Sequence, residues 1–213
     1  MNSLLEVIPK PAFVARRSGF VDWQGAKNDT HLVGLYQTYV GQDCGEHFAE
    51  LIQALAICAG ACSADRVQTL RQRLVSADNG LVATTLSQSL YKFEALLQDK
   101  QEHGQWVFET IARDWGRMLF GGATSFWETL NAGWDFDNAA SLCHGWSAIP
   151  VYFYQAYQLG IKPLEPAFKT FEVDPVKSLI GNASGQVPTP FGPIALAITK
   201  TGAKTVYELS HPL

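Results

Sequence analysis

The spacing of apolar residues predicts helices along most of the chain. Val107, Ile111, Trp115, Met118 and Leu119 recur at intervals that place them on one side of a helix. Up to about residue 160 the chain is therefore expected to be helical. Spacing of this kind predicts helices at residues 30–40, 46–60, 64–76, 84–99, 105–119 and 147–159.

The pattern changes to that of strands near residue 163. Gly160 and Pro163 are residues that end helices. Further on, the apolar residues Ile194, Leu196 and Ile198 alternate with smaller or polar ones, which is typical of a strand buried on one face. Residues 201–204 predict a turn, and the segment after it, with Val206 and Leu209, predicts a second strand. We expect a β region of three or four strands, including a β-like run through Phe168, Phe171 and Val173.

Two local signals predict where the helix at residues 64–76 begins and ends. Ser63 directly precedes it and is a residue type that caps helices. Asn79-Gly80 follows it and is a strong turn signal.

Composition narrows the classes of function. The 213 residues are 47% hydrophobic and 17% charged, which is ordinary for a globular chain with its own core. A net charge of −4 without a long basic run argues against nucleic acid or an anionic membrane as partner. No apolar run approaches the roughly 20 residues needed to span a bilayer, and the N-terminus lacks the order of a signal peptide. We therefore expect a cytoplasmic chain.

Four cysteines lie at positions 44, 58, 62 and 143. Cys58 and Cys62 have the spacing of a metal-binding pair, but no second Cys or His pair has the spacing of a zinc site. We therefore predict buried, reduced thiols. We also expect no metal, calcium included, and no cofactor, because the sequence offers neither a clustered set of ligands nor a phosphate-binding glycine loop.

Five segments, in order, resemble bacterial α-L-rhamnosidases of glycoside hydrolase family 78. The resemblance runs from about residue 19 to about residue 209, and its segments read GFVDW, WGRMLFGGATSFWE, SLCHGWSAIPVYF, LGIKPLEPAFKTFEVDP and GQVPTPFGPIALAI. It implies a mainly α chain with a small β region, that is, a partial (α/α)6 barrel of the six-hairpin glycosidase type followed by antiparallel strands of a truncated β-sandwich. Residues 1–162 would be the C-terminal half of the barrel, and residues 163–213 the start of the β-sandwich domain.

The same resemblance implies inverting hydrolysis of terminal α-L-rhamnosides, with Glu128 as general base. It also implies that an aspartate- and arginine-rich motif with the general acid lies upstream in these enzymes, and the chain contains no segment like it. Without the resemblance, Glu128 is interpreted as a glutamate at the start of a helix, where the helix dipole favours a negative charge.

The resemblance assigns sugar contacts to further residues. His144 is implied to bind rhamnose hydroxyls, and Asp22 and Trp23 to line the pocket. From the residues themselves we expect Trp127 to lie half in the core and half in the pocket wall. Trp134, with Asp135, would make outer substrate contacts. We expect Glu128, His144 and Trp23 to converge at one end of the helical layer, because loops at one end of helical hairpins are neighbours.

The residues alone also allow other interpretations. His144 would then be a packed core histidine, and Trp23 a surface-loop residue packed onto the barrel end.

Two further functions are left open by the sequence. The chain could be a non-catalytic remnant that acts at most as a sugar-binding or interaction module, or an unrelated helical-repeat protein. The expected partners are a rhamnose-containing glycoside and either a second copy or the other half of the barrel, since half a barrel leaves apolar helix faces uncovered.

Overall fold

The computed structural model describes residues 49–212. As predicted, this part of the chain is mainly helical, with antiparallel strands from residue 161 onward. Its helices are α1 Glu50–Cys58, α2 Ala64–Val75, α3 Ser89–Leu97, α4 Lys100–Phe120, α5 Asp135–Asn138 and α6 Ile149–Phe153. Its strands are β1 Ile161–Pro163, β2 Phe171–Val173, β3 Ala183–Val187, β4 Ile194–Thr201 and β5 Lys204–Ser210. In this part of the chain, no helix is long and apolar enough to cross a membrane.

Most predicted helices are present, although their bounds differ. For example, α4 begins at Lys100 rather than at residue 105. The prediction of helix from residue 84 is wrong, because α3 begins only at Ser89. The backbone N–H of Thr84 instead donates to a carboxylate oxygen of Glu50, at 3.0 Å, which holds this residue outside the helix. The prediction at 147–159 is confirmed for α6, which continues into one turn of π-helix at Tyr154–Gln158. The predicted helix at 30–40 lies outside the described residues.

The described residues form two compact units. The first unit contains residues 49–98 and 113–147, and the second contains residues 99–112 and 148–212. The domain boundary that we predict at residue 162 stays a prediction.

The first unit has an apolar core with one buried ion pair. Phe93 of α3 packs against Trp115 of α4, with ring centroids 6.4 Å apart. Lys92 donates to Glu50 Oε1 at 2.5 Å, and both residues are more than nine-tenths buried. Asn79 Nδ2 also donates to Glu50 Oε1, at 2.8 Å. These contacts link α1, α3 and the turn at Asn79-Gly80, where Gly80 has the φ of +63° that the turn requires.

The capping prediction is only partly correct. Ser63 occupies the N-cap position of α2 with extended backbone, but its side chain makes no capping hydrogen bond. Only its carbonyl takes part, accepting from the N–H of Val67 at 3.0 Å.

The predicted apolar stripe of α4 is correct except at its end. Val107, Ile111, Trp115 and Met118 are buried, whereas Leu119 is 76% exposed. Its burial was wrongly predicted because one residue is about 100° around a helix, so Leu119 points away from the side that Met118 occupies.

In the second unit, the sheets are antiparallel. β1 pairs with β2, and β3, β4 and β5 form a three-stranded sheet in that order. The alternation predicted for β4 is confirmed, because Ile194, Leu196 and Ile198 are buried against Leu159 and its neighbours. Gly202, with φ +60°, lies in the predicted turn between β4 and β5.

Two details of the β region differ from the prediction. Within residues 49–212 there are five strands rather than three or four. Phe168 does not lie in a strand, because it ends the 3-10 turn Pro166–Phe168 with a left-handed φ of +59°, outside the β region.

The prediction of buried cysteines is also wrong. Cys58 and Cys143 are exposed and Cys62 is partly exposed. Cys58 is the last residue of α1, one position after the buried Ile57 and therefore on a different side of the helix. Cys44 lies outside the described residues.

Candidate active site

The segment that carries Glu128 begins where α4 ends. Gly122 has φ +76°, its N–H donates to the carbonyl of Leu119, and the N–H of Ala123 donates to that of Met118. This is the Schellman pattern, in which a glycine stops a helix and reverses the chain. Gly121 is required here for space, since a Cβ would lie 2.6 Å from Cη2 of Trp127. Trp127 thus packs against the turn and is half-buried.

Glu128 is held by the backbone of a distant segment. Its N–H donates to the carbonyl of Ser141 at 2.9 Å, and the N–H of Ser141 donates to Glu128 Oε2 at 2.8 Å. Glu128 lies in an irregular segment, not at the start of a helix, so its interpretation as a helix-dipole glutamate is wrong. The first bond joins the two backbones, and the second orients the carboxylate through its Oε2 oxygen.

His144 lies beside the other oxygen of this carboxylate. Its N–H donates to the carbonyl of Phe126 at 2.7 Å, which brings the SLCHGWS segment alongside the FWE segment. Nε2 of His144 is 3.9 Å from Glu128 Oε1, too far for a direct hydrogen bond. A hydroxyl or a water could bond to both groups across such a gap. Nδ1 of His144 is buried and has no hydrogen-bond partner within residues 49–212.

The side chains of the pair are accessible without being fully exposed. The relative exposure is 17% for Glu128 and 26% for His144. The ring of His144 meets Trp146 edge-on, with centroids 5.8 Å apart. This arrangement leaves Glu128 and His144 open to a small molecule while restricting solvent around them.

Trp134 lies on the loop between Glu128 and Ser141. Its side chain is 79% exposed, in the 3-10 turn Ala132–Trp134. The loop is fixed locally, since Asn131 Nδ2 donates to both carboxylate oxygens of Asp135 at 3.0 and 3.2 Å. Three successive residues after Asp135 have left-handed φ between +54° and +68°, a conformation that costs non-glycine residues free energy.

The structure adds two residues that the sequence did not single out. Ser141 orients Glu128, but it does so through a backbone N–H that nearly every residue has, so no sequence signal marks it. Trp146 is 67% exposed beside His144. The signal available in the sequence was a tryptophan two positions after a candidate histidine, because the amphipathic indole suits contacts with sugar rings.

The remaining candidates, Asp22 and Trp23, lie outside the described residues. The predicted convergence of Trp23 with Glu128 and His144 stays a prediction. Among residues 49–212, no group of three or more His, Cys, Asp or Glu side chains is arranged to hold a metal ion.

Comparison with known proteins finds rhamnosidases that are similar to this chain in sequence and in fold. A curated α-L-rhamnosidase of Alteromonas sp. (strain LOR) is 33% identical over 102 residues. The crystal structure of the family 78 rhamnosidase of Bacillus sp. GL1 superposes with a TM-score of 0.69 and 26% identity over 78% of this chain. The chain is family 78 rhamnosidase-like. The resemblance predicted from its segments, and the fold class that it implies, are therefore confirmed.

A third rhamnosidase shares the fold at lower identity. The Streptomyces avermitilis α-L-rhamnosidase complexed with L-rhamnose has a TM-score of 0.64 and 15% identity over 85% of this chain. No family model matches the sequence. The rhamnosidase-like chain covers 11% of the Alteromonas protein and 18% and 21% of the two solved chains, so it spans about a fifth or less of each relative.

Proposed function

We propose that this chain provides the general-base side of an α-L-rhamnosidase site, with Glu128 as the base. In the proposed reaction Glu128 removes a proton from a water molecule that attacks the anomeric carbon of a terminal α-L-rhamnoside. The observation that carries the proposal is that the two oxygens of the carboxylate have different surroundings. Oε2 accepts from Ser141 N–H, while Oε1 faces His144 across 3.9 Å.

This setting suits a base that acts on water. An oriented oxygen at an accessible position can accept a proton, provided that the carboxylate does not turn away. The Ser141 bond fixes its rotation, because a backbone N–H on a paired segment cannot follow a rotating side chain. His144 would bind a sugar hydroxyl, since a neutral imidazole offers one donor and one acceptor. The nitrogen in position for this contact is Nε2, which lies 3.9 Å from Glu128 Oε1.

We propose inversion rather than retention, as the resemblance to family 78 rhamnosidases implies, with the carboxylate acting through water. Inverting enzymes hold their acid and base roughly 6.5–9.5 Å apart so that a water fits on one side of the sugar. The sequence contains no segment like the family's acid motif. The acid is therefore proposed to come from outside these 213 residues, and the isolated chain to hydrolyse rhamnosides little or not at all.

The base role can be tested in a chimera that supplies the rest of the site. Residues 121–147 of this chain replace the matching segment of the Bacillus sp. GL1 rhamnosidase, and hydrolysis of an aryl α-L-rhamnoside is measured. Glu128→Gln should lower kcat by about 10²–10⁴-fold, the usual contribution of general acid–base catalysis. Asp137→Asn is the matched control, because it makes the same carboxylate-to-amide change at a left-handed residue that Asn tolerates.

Three results would contradict the proposal. An active chimera in which Glu128→Gln is as active as the Asp137→Asn control would show that Glu128 is not the base. Proton NMR can detect the anomeric configuration of the rhamnose that is first released. Retention of that configuration would exclude inversion. Robust hydrolysis by the isolated chain, lost in Glu128→Gln, would show that the acid lies within the 213 residues.

Sugar binding without catalysis is the second candidate. The exposed Trp134 and Trp146 favour it, because indole rings stack on the apolar faces of sugars. Titration of the isolated chain with L-rhamnose, followed by tryptophan fluorescence, should then show saturable binding that Trp146→Ala weakens. Saturable binding without turnover in the chimera would favour this function over the first.

A further inference from the structure

β5 lies at an open edge of the three-stranded sheet. It pairs with β4 on one side, and within residues 49–212 no strand pairs with its other side. Six of its seven residues are exposed. An exposed edge strand carries unpaired backbone N–H and C=O groups and is a template for another strand.

The register of β5 fixes which residues face the open edge. Thr201 pairs with Lys204 across the two-residue turn, so Lys204, Val206 and Glu208 exchange backbone hydrogen bonds with β4. The intervening residues, Thr205, Tyr207 and Leu209, then direct their N–H and C=O groups outward. A strand added at this edge must form its hydrogen-bonded pairs with these three residues.

An apolar strip runs along the same edge. Tyr207 is paired with Ile198 and Leu209 with Leu196, so both lie on the face that packs into the core. Ile198 and Leu196 are each 2% exposed, whereas Tyr207 and Leu209 are 44% and 43% exposed. The apolar face of the sheet is therefore covered at β4 but only partly covered at β5. A further strand next to β5 would extend this apolar face.

We propose that β5 pairs antiparallel with β5 of a second copy, about a two-fold axis at Val206. In this register Lys204 of each copy is opposite Glu208 of the other, and Thr205 is opposite Tyr207. The two-fold axis produces the Lys–Glu pair twice, since such an interface uses the same patch on both copies. Directly opposed charges of opposite sign stabilise antiparallel strands. Within one copy the same two residues face uncharged partners, Thr201 and Ala197.

Neighbouring registers lack this complementarity. The outward residues must pair with one another, so the second strand can slide only in steps of two residues. Each such step moves the two-fold axis by one residue. An axis at Tyr207 places Glu208 opposite Val206, and an axis at Glu208 places two glutamates opposite each other. An axis at Thr205 places Lys204 opposite Val206. The axis at Val206 is the one among these that pairs both charges.

Charge reversal tests the interface through the oligomeric state of the full chain. Lys204→Glu and Glu208→Lys should each weaken the self-association Kd, measured by sedimentation velocity, by about tenfold, because two attractive pairs become repulsive. The double variant should restore the original Kd. An equimolar mixture of the two single variants should also associate, since each copy then offers the charge that the other lacks. Lys169→Glu, an exposed lysine outside β5, is the charge-matched control.

A disulfide tests the register itself. Opposed residues that do not exchange hydrogen bonds have Cα atoms about 4.5 Å apart, within the range of roughly 4.4–6.8 Å that a disulfide spans. Val206→Cys should therefore form a covalent dimer on mild oxidation, beyond the background of the parent chain, and Thr205→Cys should not. A chain that stays monomeric at all concentrations, single variants that leave Kd unchanged, or cross-linking at Tyr207→Cys in place of Val206→Cys would overturn the proposal.

Discussion

Gly121 and Trp127 are in direct contact at the point where α4 ends, and the glycine has no room for a side chain. A Cβ there would lie 2.6 Å from the indole and 3.1 Å from the carbonyl oxygen of Arg117. Gly121→Ala should therefore displace Trp127 and lower the free energy of unfolding by about 1–3 kcal/mol, the usual cost of overpacking. Urea unfolding measures this loss, and Trp fluorescence reports the moved indole.

Gly116 supplies the control for this prediction. It lies within α4, and a Cβ there would come no closer than 4.0 Å to a heavy atom outside its local backbone. Gly116→Ala should leave stability unchanged or raise it by about 0.5–1 kcal/mol, because alanine favours helix over glycine. Equal losses from the two substitutions would show that the contact with Trp127 is not the cause.

The buried pair of Glu50 and Lys92 should contribute strongly to stability only as a pair. Lys92→Met leaves a buried carboxylate without its main counter-charge and should cost about 3–5 kcal/mol. The double variant Glu50→Gln with Lys92→Met removes both charges and should cost clearly less than the sum of the single changes. Chemical denaturation of the four proteins closes the cycle, and additive losses would contradict the coupling.

Substitution of Trp115 should lower stability far more than substitution of Trp134, which is a candidate for ligand contact. Trp115 is 7% exposed and its Nε1 donates to the carbonyl of Ser147 at 2.7 Å. Trp115→Ala should therefore cost about 3–5 kcal/mol. Trp134, which is 79% exposed, should cost less than about 0.5 kcal/mol when replaced by Ala. Thermal unfolding checks both, and a large loss in Trp134→Ala would assign that residue to packing.

The thiol of Cys58 should react slowly at neutral pH although the residue is exposed. Partial desolvation raises its pKa, the carboxylate of Glu94 raises it further, and Arg71 opposes them. A raised pKa means less thiolate at a given pH, so alkylation by iodoacetamide should accelerate only at a pH above the ordinary thiol range. Glu94→Gln removes one cause and should increase the rate at pH 8. An unchanged rate there would show that the carboxylate has no effect on the thiol.

The same raised pKa gives the sign of a small pH effect on stability. The folded state favours the protonated thiol. The contribution of Cys58 to the free energy of unfolding is therefore complete at a pH below the thiol pKa of the unfolded chain. It is lost as the pH rises through the folded pKa. Desolvation also raises the pKa of Cys62, so that thiol should behave in the same direction.

The spacing of apolar residues predicted the helices and strands that are determined by contacts of residues close in sequence. Apolar and smaller residues alternate along the first part of β4 because one face of the strand is buried. This burial is therefore visible in the sequence itself. The start of α3 could not be predicted in this way, because Thr84 is held by Glu50, 34 positions away. Leu119 was placed wrongly because spacing alone does not define the edge of a helical stripe. In the site, the resemblance supplied Glu128 and His144. The contacts that orient them are hydrogen bonds to backbone groups of the other segment, FWE or SLCHGWS, and the identity of the side chains there does not reveal such bonds.

The paired bonds between Glu128 and Ser141 close residues 129–140 into a loop that is anchored at both ends. The entropy of closing a flexible loop grows slowly, by about 0.6 kcal/mol for each doubling of length. Insertions or exchanges within residues 129–140 should therefore be tolerated while the carboxylate keeps its place. The loop that presents Trp134 can diverge between relatives, or be grafted from one to another, independently of the residues that hold Glu128.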